Sequence, residues 1–341
     1  MRCILIKKFF LFLFIILILF ITVPLSESHR ALELQKQLKT KIMTWTGQNT
    51  DQQQPLKVPD KHAFAIQNIE LYMDKGKVEA LLGKPKRVTA NEYGTQWYTY
   101  HHRYQQFVMV SYVNNKVHAL YTNQNGISSQ SKLKYGSPKA VVRERLGTPE
   151  KELKKRQFRL QLKQDEYDVF KQAGTYTTAF YDKHSDNNLT ALLIVSEQLE
   201  DRLQNQYAPP SDALKKGFEL QNFDLVNAER VAHNLSILEY SAGISETARK
   251  HSVDMSKHHY FDHVNLQGES PFDRLDKDDW KYRAAAENLA YGQVSAIYAH
   301  EGLMNSLGHR KNILNRQVTT LGVGVAFNEE RQPYWTENYI G

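Results

Sequence analysis

Two imidazoles and one carboxylate in the last third of the chain are the residues whose types could do chemistry together. Glu287 stands as an isolated acid in AAAENLAYG, ahead of an amphipathic segment that ends in Gly308-His309-Arg310. His263 lies upstream in HYFDHVNLQGESPFDR, across a loop rich in turn residues. Brought together by a fold, His263 and His309 could ligate a divalent cation such as zinc, with Glu287 as a further ligand or as the base acting on a bound water. The same three groups could instead form a hydrogen-bonded network that holds the loops around a cleft. The histidines are 46 positions apart, so spacing chooses neither reading; only tertiary placement can bring the rings together.

Neighbouring polar residues have simpler roles. Ser270, followed by Pro271-Phe272-Asp273, has the pattern of a helix N-cap and not of a nucleophile. His251 falls on the apolar face of its helix and reads as a core histidine, whereas His258, His259 and His300 read as solvent-facing. Asn288 and Arg310 are expected to satisfy backbone carbonyls, and Trp335 and Tyr339 to pack on a sheet. Upstream, His101-His102 cannot easily share a metal, because adjacent strand residues point to opposite faces; they read as a solvated hairpin end.

The elements that must position the three groups follow from periodicity. Phe223, Val226, Arg230 and Val231 have helical spacing; a second helix is expected from Ser245 as N-cap through His251 to Met255, and a third from Ser295 as N-cap to a stop at Gly308. Leu321, Val323, Val325 and Phe327 alternate with Gly322, Gly324 and Ala326, and Pro333 to Ile340 is expected to return beside them as a partner strand. Helices first and strands last imply an α+β packing.

Before this region the chain contains a repeat. LYMDKGKVEALLGKPKRV and LKYGSPKAVVRERLGTPEKEL each carry a short helical pattern closed by Leu-Gly-x-Pro, where Gly caps and Pro forbids continuation. Strand-like runs follow: Gln96 to Tyr100, Phe107 to Val113 and Lys116 to Thr122, then Phe158 to Leu162, Tyr176 to Tyr181 and Leu189 to Val195, with Asn114-Asn115 as a hairpin turn. The expected organisation is residues 1–26 as signal peptide or membrane anchor, 27–62 as tether including a short helix from Arg30 to Met43, 63–203 as two tandem helix-plus-antiparallel-sheet repeats, 204–215 as linker and 216–341 as the C-terminal domain.

Arg2, Lys7 and Lys8 precede an apolar run from Phe9 to Val23, interrupted only by Thr22, the layout of an export signal. No clean small-x-small cleavage site follows, so the chain is expected outside the membrane, either held at its outer face or the wall, or secreted if the segment is cut. The single cysteine, Cys3, lies in this segment, which leaves no internal disulfide for the exported part and points to a bacterial envelope protein. Of the net +7, residues 27–210 carry +8 and residues 211–341 carry −4. The basic half fits anionic lipid head groups or wall polymers as partners, with no nucleic acid expected; a solvated lysine-rich surface is the plainer alternative.

ARKHSVDMSKHHYFDH, GESPFDRL, AAAENLAYG, LMNSLGHRKNIL, LGVGVAF and PYWTENYI follow one another as in the CAP superfamily, or SCP domain, which the region resembles from Leu220 to Gly341. The repeat region resembles the N-terminal domain that accompanies extracellular CAP domains of Gram-positive bacteria. The resemblance implies an α-β-α sandwich with a cleft lined in some members by two histidines and two acids that bind a divalent cation. Carried over, these are His263, Glu287 and His309, while Ser306 stands where the second acid would be. Serine is a poor ligand for a divalent cation, so this departure weakens the metal reading. Members of that family range from sterol and lipid binding to protein interaction and, in isolated cases, proteolysis, so the fold does not settle the activity; the expectation is an exported, non-enzymatic protein whose cleft binds a small molecule, lipid, peptide or wall component. The alternatives are a metal-dependent hydrolase or protease with Glu287 as base, and an envelope adaptor. The chain has no HExxH helix, Gly-x-Ser-x-Gly elbow or usable cysteine nucleophile to favour a hydrolase.

Overall fold

A computed structural model describes residues 55–154, 158–162 and 165–341. The expected signal or anchor and the tether helix lie outside the described residues; among those described, no helix is long and apolar enough to cross a membrane.

Both Leu-Gly-x-Pro segments close helices. Helix α1 (Lys75–Leu82) buries Val78, and helix α2 (Lys139–Leu146) buries Val142 and Leu146. They end at Gly83 and Gly147, with φ of 77° and 85°, a region that a residue without Cβ enters at little cost. A short strand precedes each helix, β1 (Phe64–Ile66) and β6 (Ile127–Ser129), and these two pair antiparallel.

The first copy continues with β2 (Arg87–Ala90), β3 (Gln96–His102), β4 (Gln105–Val113) and β5 (Lys116–Thr122). The second continues with a separate ribbon, β7 (Glu152–Lys154) and β8 (Arg159–Gln161), then β9 (Tyr167–Gln172), β10 (Thr175–Asp182) and β11 (Asn188–Ser196). The copies are not two separate sheets. Pairing of β5 with β11 joins them into one antiparallel sheet of seven strands, ordered β2-β3-β4-β5-β11-β10-β9. Asn114 and Asn115 make the expected hairpin turn, both at positive φ. Strand β9 escapes the apolar pattern because its Asp168 is a fully buried charge, held by Arg143 at 2.8 Å and by the Tyr181 hydroxyl at 2.9 Å.

After the short helix α3 (Glu197–Glu200), Ser211 caps α4 (Asp212–Ala232), its hydroxyl accepting from Leu214 N. Helix α5 (Ala242–His258) starts one turn before the expected Ser245, because Ser241 is the residue that caps it. Ser245 lies inside the helix and accepts from Val323 N in the sheet instead. Then come β12 (Glu239–Tyr240, between α4 and α5), α6 (Pro271–Lys277), β13 (Ala285–Tyr291), α7 (Ala296–Asn305), α8 (Leu307–Ile313), β14 (Thr320–Phe327) and β15 (Pro333–Ile340). The four strands are ordered β12-β14-β15-β13.

The alternation in β14 sorts the layers. A Cβ on Gly324 would lie 2.1 Å from Arg249 N, and one on Gly322 would lie 2.4 Å from the Ile244 carbonyl carbon, so α5 rests directly on the glycine face. On the opposite face, Leu321, Val323 and Val325 join Phe218 and Leu225 of α4 and Ile297 of α7. That cluster continues without a break into Trp97, Phe107, Tyr121 and Leu193 of the seven-stranded sheet. The two halves therefore share one core within residues Leu56–Gly341, which form one compact unit. Helix α4 lies between the sheets: a Cβ on Gly217 would sit 2.3 Å from Ala90 O, and Asp224 receives Arg87 at 2.7 Å and the Tyr104 hydroxyl at 3.0 Å.

Gly324→Ala is expected to cost on the order of 1–3 kcal/mol, since the helix backbone it would strike cannot rotate aside. Gly76→Ala in α1, where an added Cβ meets nothing within 4 Å, should gain about 0.5–1 kcal/mol. Urea unfolding of the two variants checks the opposite signs.

Candidate functional site

Strand β13 lies at the edge of the four-stranded sheet, and successive residues on it face opposite ways. Glu287 pairs across with Asn338, and Asn288 with Glu337. The site accordingly straddles a strand edge, with Glu287 on the α5 side and Asn288 on the α8 side.

On the first side the Glu287 side chain is 1% exposed, and both its oxygens are engaged. His263 Nδ1 lies 2.9 Å from Oε1, and Arg274 Nη2 donates to Oε2 at 2.7 Å. Arg274, on α6, also donates Nη1 to the carbonyls of His263 and Glu269. One guanidinium thus neutralises the buried acid and pins the loop that carries His263. Ser270 and Asp273 form a reciprocal capping box that starts α6, so Ser270 is structural as expected. His251 is buried with Nε2 2.9 Å from Asp262 O, fixing the same loop from below. His263 remains 48% exposed, and its hydrogen bond to Glu287 holds its pKa above the usual imidazole value.

On the second side the helix expected to run from Ser295 to Gly308 breaks at Ser306, whose ψ of 117° ends α7 and starts α8. Gly308 lies inside α8 and stops nothing. The break turns His309 towards β13, with Nδ1 2.8 Å from the Ser306 hydroxyl. Asn288 Nδ2 donates to His309 O at 3.2 Å and to Glu337 Oε2 at 2.9 Å. Asn312 Nδ2 donates to Glu287 O and Asn288 Oδ1, lacing α8 to the strand. Burial lowers the His309 pKa, against the attraction of Glu337 and helped by the charge of His263.

Glu337 and Arg274 are the residues the sequence reading passed over. Glu337 is fully buried, accepts from Asn288 and from Tyr339 Oη at 2.6 Å, and its Oε1 has no hydrogen-bond partner. The signal was an acid inside PYWTENYI, a strand buried along its length. Ser306 stands where the family's second acid would be; on that side the carboxylate comes from β15 instead. His300, expected to face solvent, is buried: α7 packs against α4, placing His300 Nε2 3.8 Å from Glu229. His258 and His259 are exposed, and His101 stacks on Tyr104 at the β3–β4 turn.

The donors do not fit a divalent cation. Both Glu287 oxygens are spent on protein partners, and with the Nδ1 atoms of both histidines bonded as well only the two Nε2 atoms are left to a cation, fewer than the three or four protein ligands such an ion takes. Among the described residues, no three His, Cys, Asp or Glu side chains converge in a group that could hold an ion. Phe261, Val264 and Leu266, close to His263 in the chain, and Leu307, close to His309, are exposed apolar side chains, as is Tyr291, whose ring lies 5.8 Å from that of Phe261.

Residues 223–339 match the cysteine-rich secretory protein family, CAP, and residues 71–206 match the CAP-associated N-terminal family. An uncharacterized membrane protein of Bacillus subtilis (strain 168), YlbC, is 30% identical over 284 residues, spanning 77% of this chain and 80% of YlbC. The chain belongs to the CAP family. A second B. subtilis relative, YkwD, is 40% identical over 124 residues, 36% of this chain and 47% of its own. Among solved structures, an extracellular SCP-domain protein of Bacillus anthracis str. Ames aligns with TM-score 0.69 and 25% identity over 84% of this chain and 98% of that one. A cysteine-rich secretory protein of Staphylococcus aureus shares the fold, with TM-score 0.61 and 17% identity over 84% of this chain and 97% of that one.

The asymmetry of the two histidines is measurable. In an NMR pH titration His263 should titrate above 6.5 and His309 below it; Glu287→Gln should lower His263 and leave His309 in place. Since its folded pKa is raised, His263 adds stability that is complete below about 6.5 and is lost as pH rises through the folded value.

Proposed function

We propose that this CAP protein is exported and that its cleft, formed by His263, Glu287, Ser306 and His309, binds an amphipathic ligand without catalysing its breakdown. The observation that carries this reading is the full occupation of Glu287. A carboxylate that is 1% exposed and held by Arg274 at 2.7 Å and His263 at 2.9 Å is a fixed, enclosed acceptor out of reach of a substrate proton. A general base needs the opposite arrangement, an acid reachable by substrate and free to take a proton. The half-exposed His263 and His309 supply a polar end, while Phe261, Val264, Leu266 and Leu307 supply an apolar rim. Such a pairing suits a lipid or a chain of apolar residues with one polar end. The leader pattern, and the similarity to a membrane protein of B. subtilis and an extracellular protein of B. anthracis, support export. The excess base of residues 27–210 supports contact with anionic head groups or wall polymers, which would make binding of the whole protein sensitive to salt.

A dansyl-labelled acyl chain titrated into the protein should bind, and Phe261→Ser and Leu307→Asp, both surface changes, should weaken it at least tenfold. Binding indifferent to both variants would remove the apolar rim from the reading. In parallel, calorimetric titration with zinc should show no micromolar site; a site lost in both His263→Ala and His309→Ala would reinstate the metal hydrolase.

A further inference from the structure

A second enclosure lies away from the cleft, where the β7–β8 ribbon and the seven-stranded sheet meet residues 291–302. We propose that this cavity is a binding site for a small molecule with an ammonium or guanidinium head on an apolar, aromatic-sized body.

The cavity holds about 520 Å³, within the range of roughly 300–1,000 Å³ typical of small-molecule sites. None of His263, Glu287, Ser306 and His309 lines it; Tyr291 is the point where its wall meets the cleft rim. Its charge is one-sided. Glu92 and Glu200 lie buried on its wall, Asp165 and Glu166 line it further out, and the lysine that reaches it, Lys183, is paired with Glu166 at 2.9 Å. Glu92 is 4% exposed, and its Oε2 has no hydrogen-bond partner. Trp97 Nε1 and Ser295 Oγ, also buried, face Glu92 and as donors partly offset the effect of burial on its carboxyl, though neither closes a hydrogen bond of full geometry. An acceptor left unsatisfied in a dry wall costs the full desolvation of the group, so a donor brought by a ligand gains more there than at the surface.

The rest of the lining suits an apolar body. Leu153 and Leu160 face each other across the ribbon, and Phe158 and Leu162 fall on the face of Leu160 because alternate strand residues share a face. Opposite them stand Tyr167 and Tyr298, ring centroids 5.3 Å apart, whose faces also favour a cation. The ribbon is a sheet of its own, not hydrogen-bonded into the seven strands, so it can admit a ligand without breaking the main sheet.

Burial, with Glu200 alongside, pushes the Glu92 carboxyl up to about 8. The other titratable groups facing it are the phenols of Tyr93 and Tyr298, which burial keeps protonated far above neutrality. A cationic head therefore competes with a proton on Glu92, and its affinity should rise with pH through that value.

Three probes that share a body and differ in the head decide the matter: 4-phenylbutylamine, 4-phenylbutanol and 4-phenylbutyrate, titrated calorimetrically into the full-length protein at pH 9 and pH 6. The amine stays charged at both, as an alkyl ammonium titrates near 10.4. The amine is expected to bind at least tenfold more tightly than the other two at pH 9, with the advantage reduced at pH 6. Glu92→Gln should erase the preference. Leu160→Ser, on the half-exposed ribbon, should weaken the amine and keep the fold, and so decides the case if Glu92→Gln melts. Equal binding of amine and alcohol, no amine binding at millimolar concentration, a preference that survives Glu92→Gln, or full affinity in Leu160→Ser would each overturn the assignment. The acyl-chain assay at the cleft is read separately, so failure of one site leaves the other standing.

Discussion

Everything in the described structure depends on α4 being packed on all sides. Surface helices have one apolar stripe, but from Gly217 to Ala228 this helix is buried at every position except Leu220. One side meets the seven-stranded sheet and another the strands of the CAP domain. Its polar residues are consequently inside, and they hold because most find fixed partners. Glu219 receives Arg249 through both oxygens, Asp224 receives Arg87 and Tyr104, and Arg230 donates to the carbonyls of Ser236, Ile313 and Asn315. Unpaired charges at such depth would each cost several kcal/mol. The pairs make the two halves a single folding body, because Arg87 belongs to one and Asp224 to the other.

The proposed cleft inherits its form from that body. Helix α7 rests on α4 and on the first-half sheet, with Tyr121 Oη donating to Glu301 at 2.5 Å and Lys183 N donating to Asn305 Oδ1 at 2.9 Å. Asn305 immediately precedes the break at Ser306, so the first half holds the end of α7 from which His309 is projected. His263 is placed by a different device, a loop stapled by Arg274 and His251. Two unrelated supports deliver one imidazole each to the two faces of an edge strand. Each imidazole is thereby held at Nδ1 by a partner within the protein, His263 by Glu287 and His309 by Ser306.

Several features were legible from local pattern. The glycine-capped helices α1 and α2, the turn at Asn114-Asn115, strands β5 and β15 and the capping box at Ser270 all depend on short-range rules of φ, capping and alternation. The misreadings share one cause. His300 was expected in solvent because a polar residue in an amphipathic helix normally faces water, but α7 has no water-facing side at that level. Strand β9 was missed because Asp168 interrupts its apolar run, and that interruption is tolerated only because Arg143 comes from a helix 25 residues away. The helix boundary at Ser245 was set one turn late because that serine serves the sheet and not the helix end.

The sequence by itself determined the repeat, the α+β layering and the family, and singled out His263, Glu287, Ser306 and His309 as candidates, since these rest on periodicity and on motifs that survive translation along the chain. Only the tertiary structure decided what those residues are bonded to. It brought Arg274 onto Glu287, supplied Glu337 from a strand where the helix offers serine, and closed a second, acidic cavity against a ribbon of the other half. The physical reason is that a side chain's chemistry is set by what lies within about 3 Å of it and by how much water remains. Those neighbours come from distant parts of the chain, through packing that no local pattern encodes.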